Sequence, residues 1–99
     1  MSLQDLLRYL DAHRDSTDYL KPETWTTLHT PPFGGAYALG WGVRNDGAVM
    51  HDGSNTLWYA SVFVDSAKGI VAAAAANYGD LPTMMPVVGR TLMEAVAAA

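Results

Sequence analysis

The sequence predicts an α+β fold: an antiparallel β-sheet meander flanked by N- and C-terminal helices. Three observations carry that expectation. Apolar residues recur at helical spacing near both ends of the chain. Between them lie strand-like runs, Tyr37 to Val43, Ala48 to His51, Leu57 to Asp65 and Ile70 to Asn77. Tight-turn signals and short connections separate these runs, which favours antiparallel neighbours.

Ser2 followed by Asp5 has the spacing of a capping box, a hydroxyl for the first free N–H groups and a carboxylate to reciprocate. Leu3, Leu6, Leu7, Leu10 and His13 then form one stripe, widened by Tyr9, on a helix from Leu3 to Arg14. Asp15 to Asp18 reads as a loop. Lys21-Pro22-Glu23 opens a second helix with Pro22 in the first turn, where a missing N–H does no harm. Trp25 and Leu28 point inward, and Pro31-Pro32 ends the helix.

The period then changes. Tyr37, Leu39, Trp41 and Val43 alternate with Ala38, Gly40 and Gly42, so one face of this strand is large and the other nearly bare. Two glycines on a strand face imply a helix or another backbone packed close. Asn45-Asp46-Gly47 is a hairpin turn leading into Ala48 to His51. In Leu57 to Asp65, Leu57, Tyr59 and Phe63 share one face while Trp58, Ala60, Val62 and Val64 share the other. Asp65 to Gly69 is a second hairpin loop. Ile70 to Asn77 is alanine-rich, which favours helix by propensity. Its length between two turns favours a strand, and strand is the expectation. The chain closes with a helix from Thr83 to Ala98 whose apolar face is Met84, Val87, Val88, Leu92, Met93 and Val96. Pro86 places the start of the helix proper near Met85.

Ninety-nine residues form one domain, residues 1–99, with a limited core. The apolar fraction of 49% argues against disorder, while a charged fraction of 16% is low for a small surface. An apolar face covered by a partner chain or a further segment is implied. A net charge of −4 with scattered basic residues gives no support to nucleic acid. The absence of cysteine excludes disulfides and thiolate chemistry. No basic region followed by an apolar core marks a signal peptide, and the weakly polar run from Gly69 to Ala76 is too short for a membrane span. A cytoplasmic location is the default, and a periplasmic or secreted parent is equally compatible.

One short polar corner, His51-Asp52-Gly53-Ser54-Asn55, interrupts the apolar runs and is the candidate site. Histidine suits proton transfer near neutral pH. The alternative is structural: hydrogen bonding for His51 and an Asx-type turn for Asp52 to Asn55. Ser54 lacks the Gly-x-Ser-x-Gly setting of a nucleophile. No metal or other cofactor is expected, because His13, His29 and His51 lie in separate elements without ligand spacing. The glycines do not spell a phosphate loop. Trp25, Trp41 and Trp58 read as core or interface anchors.

Three segments, LKPETWTTLHTPP, YALGWGV and HDGSNTLWYASVFVDSAKGIVAAAAANYGD, together resemble the C-terminal part of the β-lactamase-related serine hydrolases. That family includes class C β-lactamases, penicillin-binding proteins, D-amino-acid peptidases and esterases. The resemblance runs from Asp5 to Asp80 and implies a partial β-lactamase/transpeptidase-like fold. It sets His51-Asp52-Gly53 on the family's Lys/His-Thr/Ser-Gly motif, on the strand beside the active site. His51 would then act in catalysis and, with Asp52, Gly53 and Asn55, in substrate binding. Ser54 would act through its backbone N–H, as half of an oxyanion hole.

The sequence departs from the family at Asp52, where a carboxylate replaces a hydroxyl and would repel an anionic substrate. No Ser is followed three residues on by Lys, and no Tyr precedes an Asn by two, so the nucleophile and base motifs have no counterpart. The resemblance therefore implies a fragment of a serine hydrolase, inactive alone. Its partners would be the missing N-terminal part of the parent fold, or further copies bound through an exposed sheet edge or apolar helix faces. The alternatives are a self-associating structural or binding domain that has lost the site, and an independent small hydrolase using His51 and Ser54.

Overall fold

A computed structural model describes residues 2–54, 57–78 and 80–99 of the chain. The first helix, α1 (Leu3–Asp15), starts at Ser2, whose Oγ accepts the N–H of Asp5 at 3.0 Å. It ends at Ser16, which takes a left-handed φ of 47°. Leu10 and His13 on its apolar stripe are buried, whereas Leu3 and Tyr9 are half exposed. The second helix, α2 (Pro22–His29), carries Pro22 in its first turn and buries Trp25, whose indole N–H donates to the Thr17 carbonyl at 2.7 Å. Those two helices follow the sequence pattern closely.

The sheet is formed by β1 (Gly42–Val43), β2 (Val49–Ser54), β3 (Tyr59–Asp65) and β4 (Ile70–Ala76). Every neighbouring pair is antiparallel and the spatial order is β1-β2-β3-β4, a meander. Both hairpin loops have the expected chemistry. Gly47 takes φ +88° and donates to the Arg44 carbonyl, while Gly69 takes φ +70° and Asp65 Oδ1 accepts the Lys68 N–H.

A third helix, α3 (Leu81–Ala98), packs on the sheet face opposite α1, so helices cover both faces. On the α1 side, Leu10 meets Val49, Val62, Val64, Ala38 and Trp41. On the α3 side, Leu92 meets Ala48, Phe63 and Ala72. Strand alternation divides β3 between these cores, and its residues from Ser61 to Asp65 are all buried. The alanines of β4 let both helices come close: Ala73 lies in the α1-side core, Ala72 and Ala74 in the α3-side core. The architecture is α+β, with three helices and a four-stranded antiparallel sheet among the described residues.

Three expectations are corrected. The first strand is far shorter than Tyr37 to Val43. Tyr37 makes only an isolated bridge to Gly42, and the chain between them folds on itself, with the Ala38 N–H donating to the Trp41 carbonyl at 2.7 Å. Gly40 serves this turn with φ +88°, and a Cβ there would meet nothing, so close packing is not its reason. Ala38 and Trp41 are consequently buried while Tyr37 and Leu39 are exposed, which breaks the predicted large face.

The third strand begins at Tyr59 rather than Leu57, leaving Leu57 and Trp58 exposed, which removes Trp58 from the core and leaves the interface half of its expectation untouched. Helix α3 starts at Leu81, four residues ahead of Met85, and holds Pro86 inside. Pro82 already occupies the favourable first-turn position. Pro86 then forfeits a single bond, the one to the Pro82 carbonyl, and the apolar face from Val88 to Val96 outweighs that loss.

The two-core arrangement sets an expectation for stability. Leu10→Ala and Leu92→Ala, each at a fully buried position on opposite sheet faces, should lower unfolding free energy by about 2–5 kcal/mol in urea titrations. Leu3→Ala, at a half-exposed position, should cost less than about 1 kcal/mol. Equal losses at all three positions would contradict the assignment of Leu10 and Leu92 to the cores.

Candidate functional site

The polar corner is not a turn as far as Ser54. Strand β2 runs through it, with Asp52 opposite Ser61, Gly53 opposite Ala60 and Ser54 opposite Tyr59. Asn55, the fifth candidate, lies outside the described residues. Since side chains alternate across a strand, His51 and Gly53 face α1, while Asp52 and Ser54 face α3. The sequence grouped these residues as one surface, and the structure divides them between two.

On the α1 side, His51 and Gly53 line a largely apolar groove of ≈510 Å³. Leu6, Tyr9 and Leu10 of α1 form one wall, and Leu39, Gly40 and Trp41 form another. Ala60 and Val62 of β3 complete the floor. A Cβ on Gly53 would stand 3.8 Å from His51 Nε2, at ordinary van der Waals distance, so Gly53 lies directly beside the imidazole. Strand β1 pairs with β2 only at Val49 and Met50, so no strand continues the ladder outside His51 to Ser54 among the described residues.

On the α3 side, Asp52 accepts a hydrogen bond from the Tyr59 hydroxyl at 3.0 Å. Burial, together with that carboxylate, pushes the Tyr59 phenol up from its ordinary value. Asp52, Gly53, Ser54, Tyr59, Leu81 and Met85 line a smaller cleft of ≈240 Å³. The Asp52 carboxylate therefore faces the other side of the sheet from His51 and is engaged there by Tyr59.

A second cluster lies behind the groove wall. His13 Nδ1 and His29 Nε2 are 2.8 Å apart, so one N–H lies between them and at least one ring is neutral. Tyr9, Trp25 and Trp41 contact the His13 ring at centroid separations of 4.7–5.0 Å. Trp41 also stands 6.4 Å from the His51 ring, linking the cluster to the groove. Burial is the main cause that pushes His13 down to about 4, with His29 contributing, and burial also lowers His29. The pair clasps α1 to α2. No cluster of three or more metal-ligating His, Cys, Asp or Glu side chains is present among the described residues, and no described helix is long and apolar enough to cross a membrane.

Of the candidate residues, the structure brings His51 and Gly53 together and adds Tyr9, Leu39, Trp41, Ala60 and Val62 to them. The His13–His29 contact spans 16 residues and had no local signal. The Tyr59–Asp52 bond follows from the β2–β3 register, which places the two on the same sheet face. No family model, curated protein or solved structure matches the chain.

Two measurements test this geometry. His13 is depressed from 6.5 to about 4 in the fold, so the unfolded chain takes up its proton first as pH falls. Stability should be full above 6.5 and decline towards 4, by roughly 2–3 kcal/mol in denaturant titrations, and His13→Phe should shrink that decline. Tyr59→Phe should cost about 1 kcal/mol by removing the hydrogen bond to Asp52. It should leave unchanged the NMR shifts of the His51 ring on the opposite face.

Proposed function

We propose that this chain is the C-terminal portion of a β-lactamase/transpeptidase-like serine hydrolase, supplying one wall of an acyl-transfer site and inactive alone. The observation that carries this reading is the placement of His51 and Gly53 side by side on an apolar groove, where the sheet ladder outside β2 has ended. In the proposed reaction a serine from elsewhere attacks an ester, amide or lactam carbonyl, and water then releases the acyl group. His51 binds and polarises the substrate from the strand, and Gly53 lets it approach the backbone. Ser54 contributes its main-chain N–H to the developing oxyanion. In this proposal substrate binding is also assigned to Asn55, which lies outside the described residues.

The covalent step has no means within this chain, which contains neither a Ser-x-x-Lys nor a Tyr-x-Asn sequence. Ser54 is an unsuitable nucleophile on geometry as well, because its side chain and His51 lie on opposite faces of β2. The missing partner would be the N-terminal part of the parent fold, bearing both motifs. An alternative is a domain that has kept the fold and lost the site, favoured by the many exposed large apolar residues, among them Phe33, Tyr37, Leu57 and Trp58.

A fluorophosphonate probe of activated serines should leave the isolated chain unlabelled, and mass spectrometry would detect any adduct. Stoichiometric labelling of Ser54 would overturn the proposal. Sequencing the DNA upstream of this segment supplies a second check. An open frame encoding Ser-x-x-Lys and then Tyr-x-Asn is expected, and an in-frame stop immediately upstream would favour the site-less domain.

A further inference from the structure

We propose that β4 is a self-association edge, through which two copies of the chain pair antiparallel along Ile70–Ala76 and form one continuous sheet. The inference concerns the sheet edge on the far side of β3 from β2, in the chain taken without the N-terminal part that the acyl-transfer reading would add.

Strand β4 ends the sheet order, and its one-to-one pairing with β3 runs from Asp65↔Ile70 to Tyr59↔Ala76 without a bulge. Among the described residues, no hydrogen bond from outside the β3 ladder reaches it. Exposed edges are normally blunted by charge, proline, glycine kinks or bulges. Ile-Val-Ala-Ala-Ala-Ala-Ala has none of these devices. The opposite side of the sheet differs. There β2 is capped by β1 at Val49 and Met50, and its remaining length carries His51, Asp52 and Gly53, all exposed.

The occupant is a second copy because the strand is sterically complementary to itself. An antiparallel pair centred on Ala73 sets Ile70 against Ala76 and Val71 against Ala75, bulky against small at both ends. No charge lies between Lys68 and Asp80, so copies of net charge −4 meet along a neutral strip. Antiparallel pairing also brings the end carrying Lys68 beside the end carrying Asp80 of the other copy. The contact is isologous and consumes the unprotected edge of both copies, so assembly stops at the dimer. A strand pair of roughly 23 Å makes a small interface, so a weak, concentration-dependent dimer is expected.

Sedimentation velocity between about 1 and 500 µM should show a monomer–dimer equilibrium. Hydrogen exchange read residue by residue locates the contact. At low concentration alternate amides of β4 should exchange fast and the intervening ones, bonded to β3, slowly. At high concentration the fast set should become protected. Ala75→Lys and Ala75→Pro, at the exposed position of β4, should weaken the dimer at least about ten-fold while circular dichroism retains the fold. A monomer at the highest concentration overturns the proposal. So does a dimer whose β4 amides keep their dilute pattern, which would place the contact on a helix face. If either variant fails to fold, the exchange pattern of the unaltered chain decides.

Discussion

The fold depends on burying β3 from both sides. Most strands in a small sheet have one dry face, but here Val62 and Val64 feed the core under α1 while Phe63 feeds the core under α3. A continuous apolar run is what such a strand requires, and Val62-Phe63-Val64 supplies it. Neither core is large. Each consists of one helix stripe, a few residues of β3 and whatever the flanking strands add. The alanines of β4 follow from this, since large side chains there would hold the two helices away from β3. The polar residues of the central strand follow as well: Ser61 and Asp65 are buried, and Asp65 uses Oδ1 to close the hairpin loop beside it.

The same strand decides what the polar corner can do. Pairing with β3 extends β2 to Ser54, and a strand has no choice but to alternate. His51 and Gly53 therefore belong to the α1-side groove, whereas Asp52 turns away to Tyr59. The groove wall is fixed from behind by Trp41, which touches both His13 and His51. Through that indole, the His13–His29 clasp and the groove share one packing unit, so loosening α1 from α2 also disturbs the wall that His51 faces.

Helices α1 and α2, both hairpin loops and the strand character of the alanine run were legible because local chemistry and tertiary demand agree there. Ser2, Pro22, Gly47 and Gly69 each perform the job their residue type suggests. The reading failed where a local pattern had two physical solutions. Tyr37 to Val43 alternates as a strand does, but Gly40 allows a left-handed turn that buries Ala38 and Trp41 together against Leu10. Asp-Gly-Ser-Asn has turn composition, and the cross-strand ladder overrides it as far as Ser54. The candidate site was legible as a location and not as a surface, because the face each residue takes depends on a register that no single segment contains.

The two sides of this sheet carry different chemistry, and the charge distribution explains why. Half of the charged residues lie before Thr24, on α1, α2 and their connection, and none lies on β4. A chain with so few charges cannot cover every apolar surface with them. Polar side chains on the strands concentrate instead at His51 to Ser54, beyond the reach of β1. That side suits a ligand needing directional hydrogen bonds beside an apolar groove. The opposite edge offers only backbone groups and methyls, which suit another strand. A small sheet placed alone in water would gain from charge at both edges. Polarity at one and bare alanine at the other leave the two edges of this sheet chemically distinct.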